Sequence, residues 1–267
     1  MTGYLPYIYD HFAVHIIRSF VRYYYMLWFF FNKEKAGGLA SGTTGRYLYA
    51  CAADSRGKEF IRQVIEKFGH EDFDYLIFVY DDTRFDEEVF RQCRFIYEKG
   101  LKWQFCKKFL TPGFAAGYEY IFVWDDDIEL LDFSYRDFIK IMRRNALDMA
   151  QPALSRDSYA THKITLARRG NKIGRLTDFV EIMVPVFTGE AWIKFWKMLG
   201  QDAGWGWGYD MVAKKVLGFK MGIVDCQQVR HTRASVKGRP FGLAEEAQTF
   251  RRYKHKRSWL VSYGSLK

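Results

Sequence analysis

From Arg46 to Gln151 the chain alternates short apolar runs with stretches of helical spacing, and several runs end in aspartate. Residues 47–52 and 75–80 have the length and the aromatic and branched content of strands. Between them Phe60, Ile61, Val64, Ile65 and Phe68 share one face of a helix over 58–68. Residues 85–97 have helical spacing, 102–105 read as a short strand, and 107–116 as a helix that Pro112-Gly113 interrupts. A third strong strand, 120–124, stops abruptly at Asp125-Asp126-Asp127. A helix over 134–145 and a strand over 148–151 follow. Such alternation predicts an α/β fold, a mostly parallel sheet covered on both faces. Ligands on these sheets gather at the carboxyl ends of strands. Asp54, Asp81, Asp82 and the aspartate triplet all stand at such ends.

Three adjacent carboxylates repel one another unless something positive lies between them. Mg²⁺ or Mn²⁺ takes carboxylate oxygens and leaves room for phosphate oxygens, which makes 125–127 a candidate metal site. A solvated acidic turn after an edge strand is the plainer alternative.

The second half is less regular. Arg168, Arg169, Lys172 and Arg175 form a basic, Gly-containing loop, and 178–187 reads as a strand carrying one buried acid, Glu181. A helix over 190–199 leads to Gly204-Trp205-Gly206-Trp207-Gly208 and a further helix that opens with Asp210. Glycine lets the backbone approach a ligand closely, and the flat indoles beside it suit a sugar ring. Asp210 is either an N-terminal cap or, held ionised by the helix dipole, a general base. His231 follows a strand over 223–225, and it is either structural or the last ligand of an oxygen-rich metal site. Arg230, Arg233, Lys237 and Arg239 around it could neutralise a diphosphate. Residues 250–257 read as a charge-rich helix.

Composition narrows the class. A net charge of +10 favours anionic partners, and aromatics at 19% serve both cores and stacking sites. Cys51, Cys93, Cys106 and Cys226 are too scattered for a zinc site or a disulfide scaffold, so buried free thiols are expected. There is no Gly-x-Gly-x-x-Gly after the first strand and no Walker loop, which disfavours NAD and P-loop chemistry. No Gly-x-Ser-x-Gly elbow, RNA-recognition signature or C₂H₂ pattern is present.

Taken in order, Tyr80-Asp81-Asp82, Lys107-Lys108-Phe109-Leu110, 120–127, Gln151-Pro152-Ala153-Leu154, 179–187, 207–211 and Val229-Arg230-His231 resemble the GT-A glycosyltransferases. Within them the chain looks like the plant-type proteins labelled lysine-ketoglutarate reductase trans-splicing-related, a family of unknown function. The resemblance implies a GT-A-like (Rossmann-like) mostly parallel mixed sheet and a metal-dependent, inverting sugar transfer. The donor would be a nucleotide sugar, a UDP-sugar above all, carrying a pentose such as xylose or a hexose. The acceptor would be a glycan hydroxyl. Asp125, Asp127 and His231 would then hold Mn²⁺ or Mg²⁺. Cys51, Ala52, Asp54, Asp81 and Asp82 would bind the nucleoside, and Lys107 or Lys108 would reach a phosphate or ribose. Asp126 would contact ribose or the sugar. Asp210 would be the base, and Glu181, Trp205 and Trp207 would shape the acceptor pocket.

Residues 1–45 form a separate N-terminal region ahead of a single catalytic domain over 46–267. Residues 12–31 are strongly aromatic, but His15, Arg18 and Arg22 interrupt them, and a span needs about 20 mostly apolar residues. An amphipathic helix at a membrane surface, or one packed on the core or on a second subunit of a homodimer, is expected. The location that follows is cytoplasmic and peripheral to a membrane, or the Golgi lumen should this segment act as an anchor. Two other classes compete: a metal-dependent nucleic-acid-processing enzyme, and a non-catalytic carbohydrate-binding protein at a membrane surface. No nucleic-acid partner is expected on the leading reading.

Overall fold

The computed structural model describes residues 45–170, 173–234 and 239–267. These fall within one unit, Ala40–Lys267. The aromatic segment 12–31, the linker before Gly45, Lys172 and Lys237 lie outside the described residues, as does the Arg239 side chain.

Four strands run parallel on one side of the sheet, out to its edge at β3: β1 (Tyr47–Ala53), β2 (Phe73–Val79), β3 (Arg94–Tyr97) and β4 (Tyr120–Asp125). Six more complete it: β5 (Ile128–Leu130), β6 (Met149–Leu154), β7 (Arg175–Thr177), β8 (Val186–Thr188), β9 (Met221–His231) and β10 (Ser262–Ser265). The order across the sheet is β10-β7-β9-β6-β8-β4-β1-β2-β3, with β5 paired to β9. The short β8 is antiparallel to both β4 and β6, so the sheet is mixed, while β6 and β9 are again parallel.

Helix α1 (Lys58–Phe68) buries Ile61, Val64, Ile65 and Phe68, as its spacing requires. Phe68 meets Phe73, Phe122, Trp124 and Tyr135 ring to ring. Helix α2 (Lys102–Phe109) follows. Helix α3 (Tyr135–Arg144) starts where Ser134 Oγ accepts from Asp137 N, and α4 (Gly189–Met198) where Thr188 Oγ1 accepts from Ala191 N. Helices α5 (Tyr209–Leu217) and α6 (Arg239–Arg252) follow. No helix among the described residues is long and apolar enough to cross a membrane.

Several local expectations are corrected. Residues 85–97 hold a 3₁₀ turn, Glu88–Phe90, and strand β3, because Arg94 to Tyr97 find backbone partners on β2. The 102–105 stretch is the first half of α2, which buries Trp103, Phe105 and Cys106. A separate short helix, Pro112–Ala115, takes the rest of the predicted 107–116 helix. Residues 178–185 are not a strand. Their backbone runs irregularly beside β4, with Val123 N donating to Pro185 O at 3.0 Å and Asp125 N to Met183 O at 2.9 Å. The charge-rich helix ends at Arg252, earlier than expected, and Lys254 turns the chain at φ +48°. Arg175 is not part of a solvated basic loop. It is 2% exposed on β7, paired with Asp225 and bonded to the carbonyl of Leu166 at 3.0 Å. All four cysteines are free, though Cys93 and Cys226 are half-buried rather than buried.

Candidate active site

The triplet sits where β4 leaves the core and turns into β5. Pairing of β5 with β9 places Ile128 opposite His231, and Thr232 N then donates to Asp127 O at 3.0 Å. That antiparallel register carries His231 and Arg233 from the far end of the chain onto the acids. Strand alternation turns Arg230 the other way, onto Glu129 Oε2 at 2.6 Å and Asp157 at 3.1 Å.

Each acid has its own partner. Lys102 Nζ pairs with Asp125 and also donates to the carbonyls of Ile182 at 2.7 Å and Met183 at 3.3 Å. Asp126 accepts from Asp54 N at 3.1 Å and from Arg233 Nη2 at 2.6 Å. Asp127 Oδ2 faces Arg233 Nε and His231 Nε2, each at 3.2 Å. Burial pushes the Asp126 carboxyl up to about 7, against the opposing pull of Arg233. Burial and the neighbouring Asp127 raise Asp125 despite Lys102. For Asp127 the hydrogen bond and charge of His231, with Arg233, outweigh burial and leave it below the ordinary carboxylate value. Burial opposes the imidazolium form of His231, yet Asp127 and the Tyr159 carbonyl, 2.6 Å from Nδ1, lift it to about 9. Two buried atoms here lack any hydrogen-bond partner: Asp127 Oδ1 and Arg233 Nη1.

A cleft of about 740 Å³ runs from this cluster to a second one. At the far end lie His162, Glu181, Asp210, Trp205, Trp207 and Glu246. Asp210 is 4% exposed in the first turn of α5 and accepts from Met211 N at 2.9 Å. Burial, reinforced by Glu181 and Glu246 against the pull of His162, pushes its carboxyl up to about 7. Glu181 Oε1 lies 3.4 Å from His162 Nδ1, while its Oε2 is buried without a partner. The Trp-Gly loop is shaped by its glycines. Gly206, at φ +81°, lets the Trp103 indole approach to where a Cβ would lie 2.3 Å from it. Glu245 from α6 fixes the loop by accepting from the backbone of Gly204, Trp205 and Gly206 at 2.7 to 3.1 Å.

Of the residues singled out from sequence, Ala52, the three aspartates, His231, Glu181, Trp205, Trp207 and Asp210 line the cleft. Others stand elsewhere. Cys51 points into the core, and burial pushes its thiol well above the usual range. Asp54 lies behind Asp126, tied to Arg56. Asp81 accepts from Ser55 N and Thr83 N and braces that loop, while Asp82 is exposed to solvent. Lys107 donates to Trp196 O at 2.9 Å, and Lys108 pairs with Glu98 at 2.8 Å. Neither lysine lines the cleft. The lysine on the cleft is Lys102, hidden in what the sequence presented as a strand. Tyr80, from the Tyr80-Asp81-Asp82 motif, also lines it, as do Arg56, His162 and Glu246, which no local pattern marked.

Comparison with known proteins places the fold. Residues 25–260 match the family described as "Protein of unknown function (DUF707)". The chain belongs to that family. Among curated proteins no match to this DUF707 member is found. The crystal structure of S. aureus TarS 1-349 in complex with UDP is similar in fold, with a TM-score of 0.51 and 8% identity, over 78% of this chain and 65% of that one. The TarS 1-349 complex with UDP-GlcNAc gives 0.50 and 8%, over 79% and 68%. A longer TarS structure also gives 0.50 and 8%, over 79% and 40%. The DUF707 chain thus has a GT-A-like fold, a mixed, mostly parallel central sheet flanked by helices.

That fold and its Asp-rich strand end raise the question of a divalent cation. The donor chemistry suits one: Asp127 Oδ1 is buried and unpaired, and the carbonyl on His231 Nδ1 leaves Nε2 facing the acids. Among the described residues no three His, Cys, Asp or Glu side chains converge as ligands, and Asp125 is turned to Lys102. Asp127 and His231 therefore suit a cation chemically, while Asp125 is engaged with Lys102.

Proposed function

We propose that this DUF707 protein is a metal-assisted, inverting glycosyltransferase. It moves a sugar, a pentose such as xylose or a hexose, from a UDP-linked donor to a glycan hydroxyl. Its ordered motifs resemble those of the plant-type proteins labelled lysine-ketoglutarate reductase trans-splicing-related, which supports the reading. The observation that carries the reading is the pair of unsatisfied atoms in one buried cluster. Asp127 Oδ1 calls for a cation, and Arg233 Nη1, which stands 3.7 Å from Asp54 Oδ1 without a hydrogen bond, has a donor to spare for a phosphate oxygen, as a metal-bound diphosphate would supply. The shared fold with TarS, solved with UDP and with UDP-GlcNAc, supports a UDP-linked donor.

The residues divide by role. Ala52, Arg56 and Tyr80, at the ends of β1 and β2, cradle the nucleoside, with Asp54 and Asp81 bracing that wall. Asp125, Asp127 and His231 would hold Mn²⁺ or Mg²⁺, which when bound neutralises charge on the departing diphosphate. Arg233 binds a phosphate oxygen through Nη1, which makes no hydrogen bond of its own, and holds Asp126 toward the ribose. Trp205 and Trp207 pack against the acceptor ring, and Glu181 accepts from one of its hydroxyls. Asp210 takes the proton of the attacking hydroxyl, which displaces the diphosphate from the opposite face and inverts the anomeric centre. A carboxyl poised near 7 suits a base working at neutral pH.

A thermal-shift panel of nucleoside diphosphates and nucleotide sugars, with and without Mn²⁺, tests this directly. Binding to the folded state alone raises the melting temperature by mass action. UDP and a UDP-sugar are expected to stabilise, more so with Mn²⁺. No shift with any nucleotide overturns the reading.

A further inference from the structure

Away from the cleft's interior, the C-terminal segment presents a surface that sugar transfer does not use. Trp259 is 92% exposed. It is not on a loose end: Arg257 before it lines the cleft and lies 3.4 Å from Glu246, and Leu260 after it packs on the group of Ala153, Ile164, Phe179 and Ile223. Leu260 is anchored directly after it and Arg257 is paired two residues before, and the indole stands out in water. Val261 and Tyr263 follow at two-residue steps and are also exposed, which makes a ridge along one side of an extended segment.

Cations surround the ridge. Lys214 Nζ stands 4.2 Å from the centre of the Tyr263 ring, and Lys215 Nζ reaches the Lys254 carbonyl at 3.3 Å. The end of α5 thus joins the 251–257 stretch, Arg-Arg-Tyr-Lys-His-Lys-Arg, which holds no acid. Arg252 is committed to Asp202. Arg251, Lys254 and Lys256 are exposed and form no ion pair among the described residues. Asp178, the acid beside the ridge, is turned to the backbone N–H of Val261 at 2.8 Å.

We infer that this face docks on an anionic lipid bilayer, with Trp259, Val261 and Tyr263 at the headgroup boundary and the lysines over lipid phosphates. Charge complementarity selects an anionic partner. Exposed Trp and Tyr suit a membrane interface, and the aliphatic Val261 between them suits an acyl boundary, not a polyanionic chain. The inference stands apart from the sugar-transfer reading. The two meet in one consequence: Arg257 belongs to both surfaces, so the cleft opens beside the bilayer, within reach of acceptors carried on it.

Sedimentation of the full chain with vesicles tests the docking. Binding to phosphatidylcholine–phosphatidylserine vesicles is expected, with little to phosphatidylcholine alone and a steep loss at high salt. Lys254→Gly with Lys256→Gln removes two charges, and glycine suits the +48° φ at 254. About fivefold weaker binding per charge is expected. Trp259→Ala weakens it several-fold again, with the melting temperature unchanged in each variant. Vesicle binding that survives these substitutions, equal binding to neutral vesicles, or capture by heparin or oligonucleotide without capture by anionic vesicles overturns the inference.

Discussion

His231 Nε2 lies 3.2 Å from Asp127 Oδ2, and Arg233 Nε lies the same distance from that oxygen. Two cations from the end of β9 therefore hold one acid from the end of β4. They offset the repulsion among three adjacent carboxylates.

The His231 pairing has a pH signature. Its folded value is raised from 6.5 to about 9, so the stability it contributes is full below 6.5 and is lost as pH rises through 9. A metal needs the neutral imidazole, so Mn²⁺ binding should displace about one proton and tighten as pH rises toward 9. Calorimetry in buffers of different ionisation enthalpy measures that proton. His231→Ala should weaken Mn²⁺ binding by roughly 10–100-fold, and EDTA should abolish sugar transfer. Full transfer by EDTA-treated protein would end the metal assignment.

Asp210 should trade activity against stability. As a base it works deprotonated, so kcat should rise with pH through about 7 and then level off. The same raised value means that its stabilising contribution belongs to low pH and is lost as pH climbs from 3.8 to about 7. Asp210→Asn should therefore lose transfer by at least ~100-fold while still binding UDP. At pH 8 it should melt higher than the parent, since a buried charge has gone. A variant that keeps the parent's pH–rate profile would remove Asp210 from catalysis.

Gly57 offers a substitution aimed at one carboxylate. Its backbone, at φ −83° and ψ −13°, accepts alanine without strain, but a Cβ there would lie 2.2 Å from Asp126 Oδ2. Gly57→Ala should push Asp126 off Arg233 and weaken nucleotide binding by about tenfold or more, the loss of one charge-assisted hydrogen bond. Gly113→Ala, where nothing lies within 4 Å, is the control. Titration of UDP by thermal shift compares them, and equal affinity in the two would show that Asp126 does not contact the donor.

Arg175 should matter for folding alone. Its pair with Asp225 is buried on both sides, and truncating one partner leaves an uncompensated interior charge. Arg175→Met should cost about 3–5 kcal/mol in urea unfolding. The exposed Arg169→Met should stay within about 0.5 kcal/mol.

Much of the scaffold was legible in the chain. α1 spans the predicted 58–68, and α3 lies inside 134–145 with its cap, because their apolar positions repeat at the helical period and no tertiary partner competes. The misread stretches share another cause. In 85–97 the apolar spacing suits either period, and pairing of Arg94 to Tyr97 with β2 decided it. In 102–105 the alternation of Trp103 and Phe105 imitates a strand, whereas the α2 core contacts run on through Cys106.

The sequence by itself determined that acids stand at strand ends, that a Trp-Gly loop opens α5 with Asp210, and that a histidine lies beyond the strand read over 223–225, which the structure extends as β9 to His231 itself. Those are local facts, written in residue type and spacing. Only the tertiary structure decided which of them meet. The β5–β9 register brought His231 and Arg233 to Asp127 and sent Arg230 away. The packing of α2 put Lys102 on Asp125 and left Lys107 and Lys108 on the outside. Such choices rest on hydrogen-bond partners far apart in the chain, and periodicity within a short window carries no information about them.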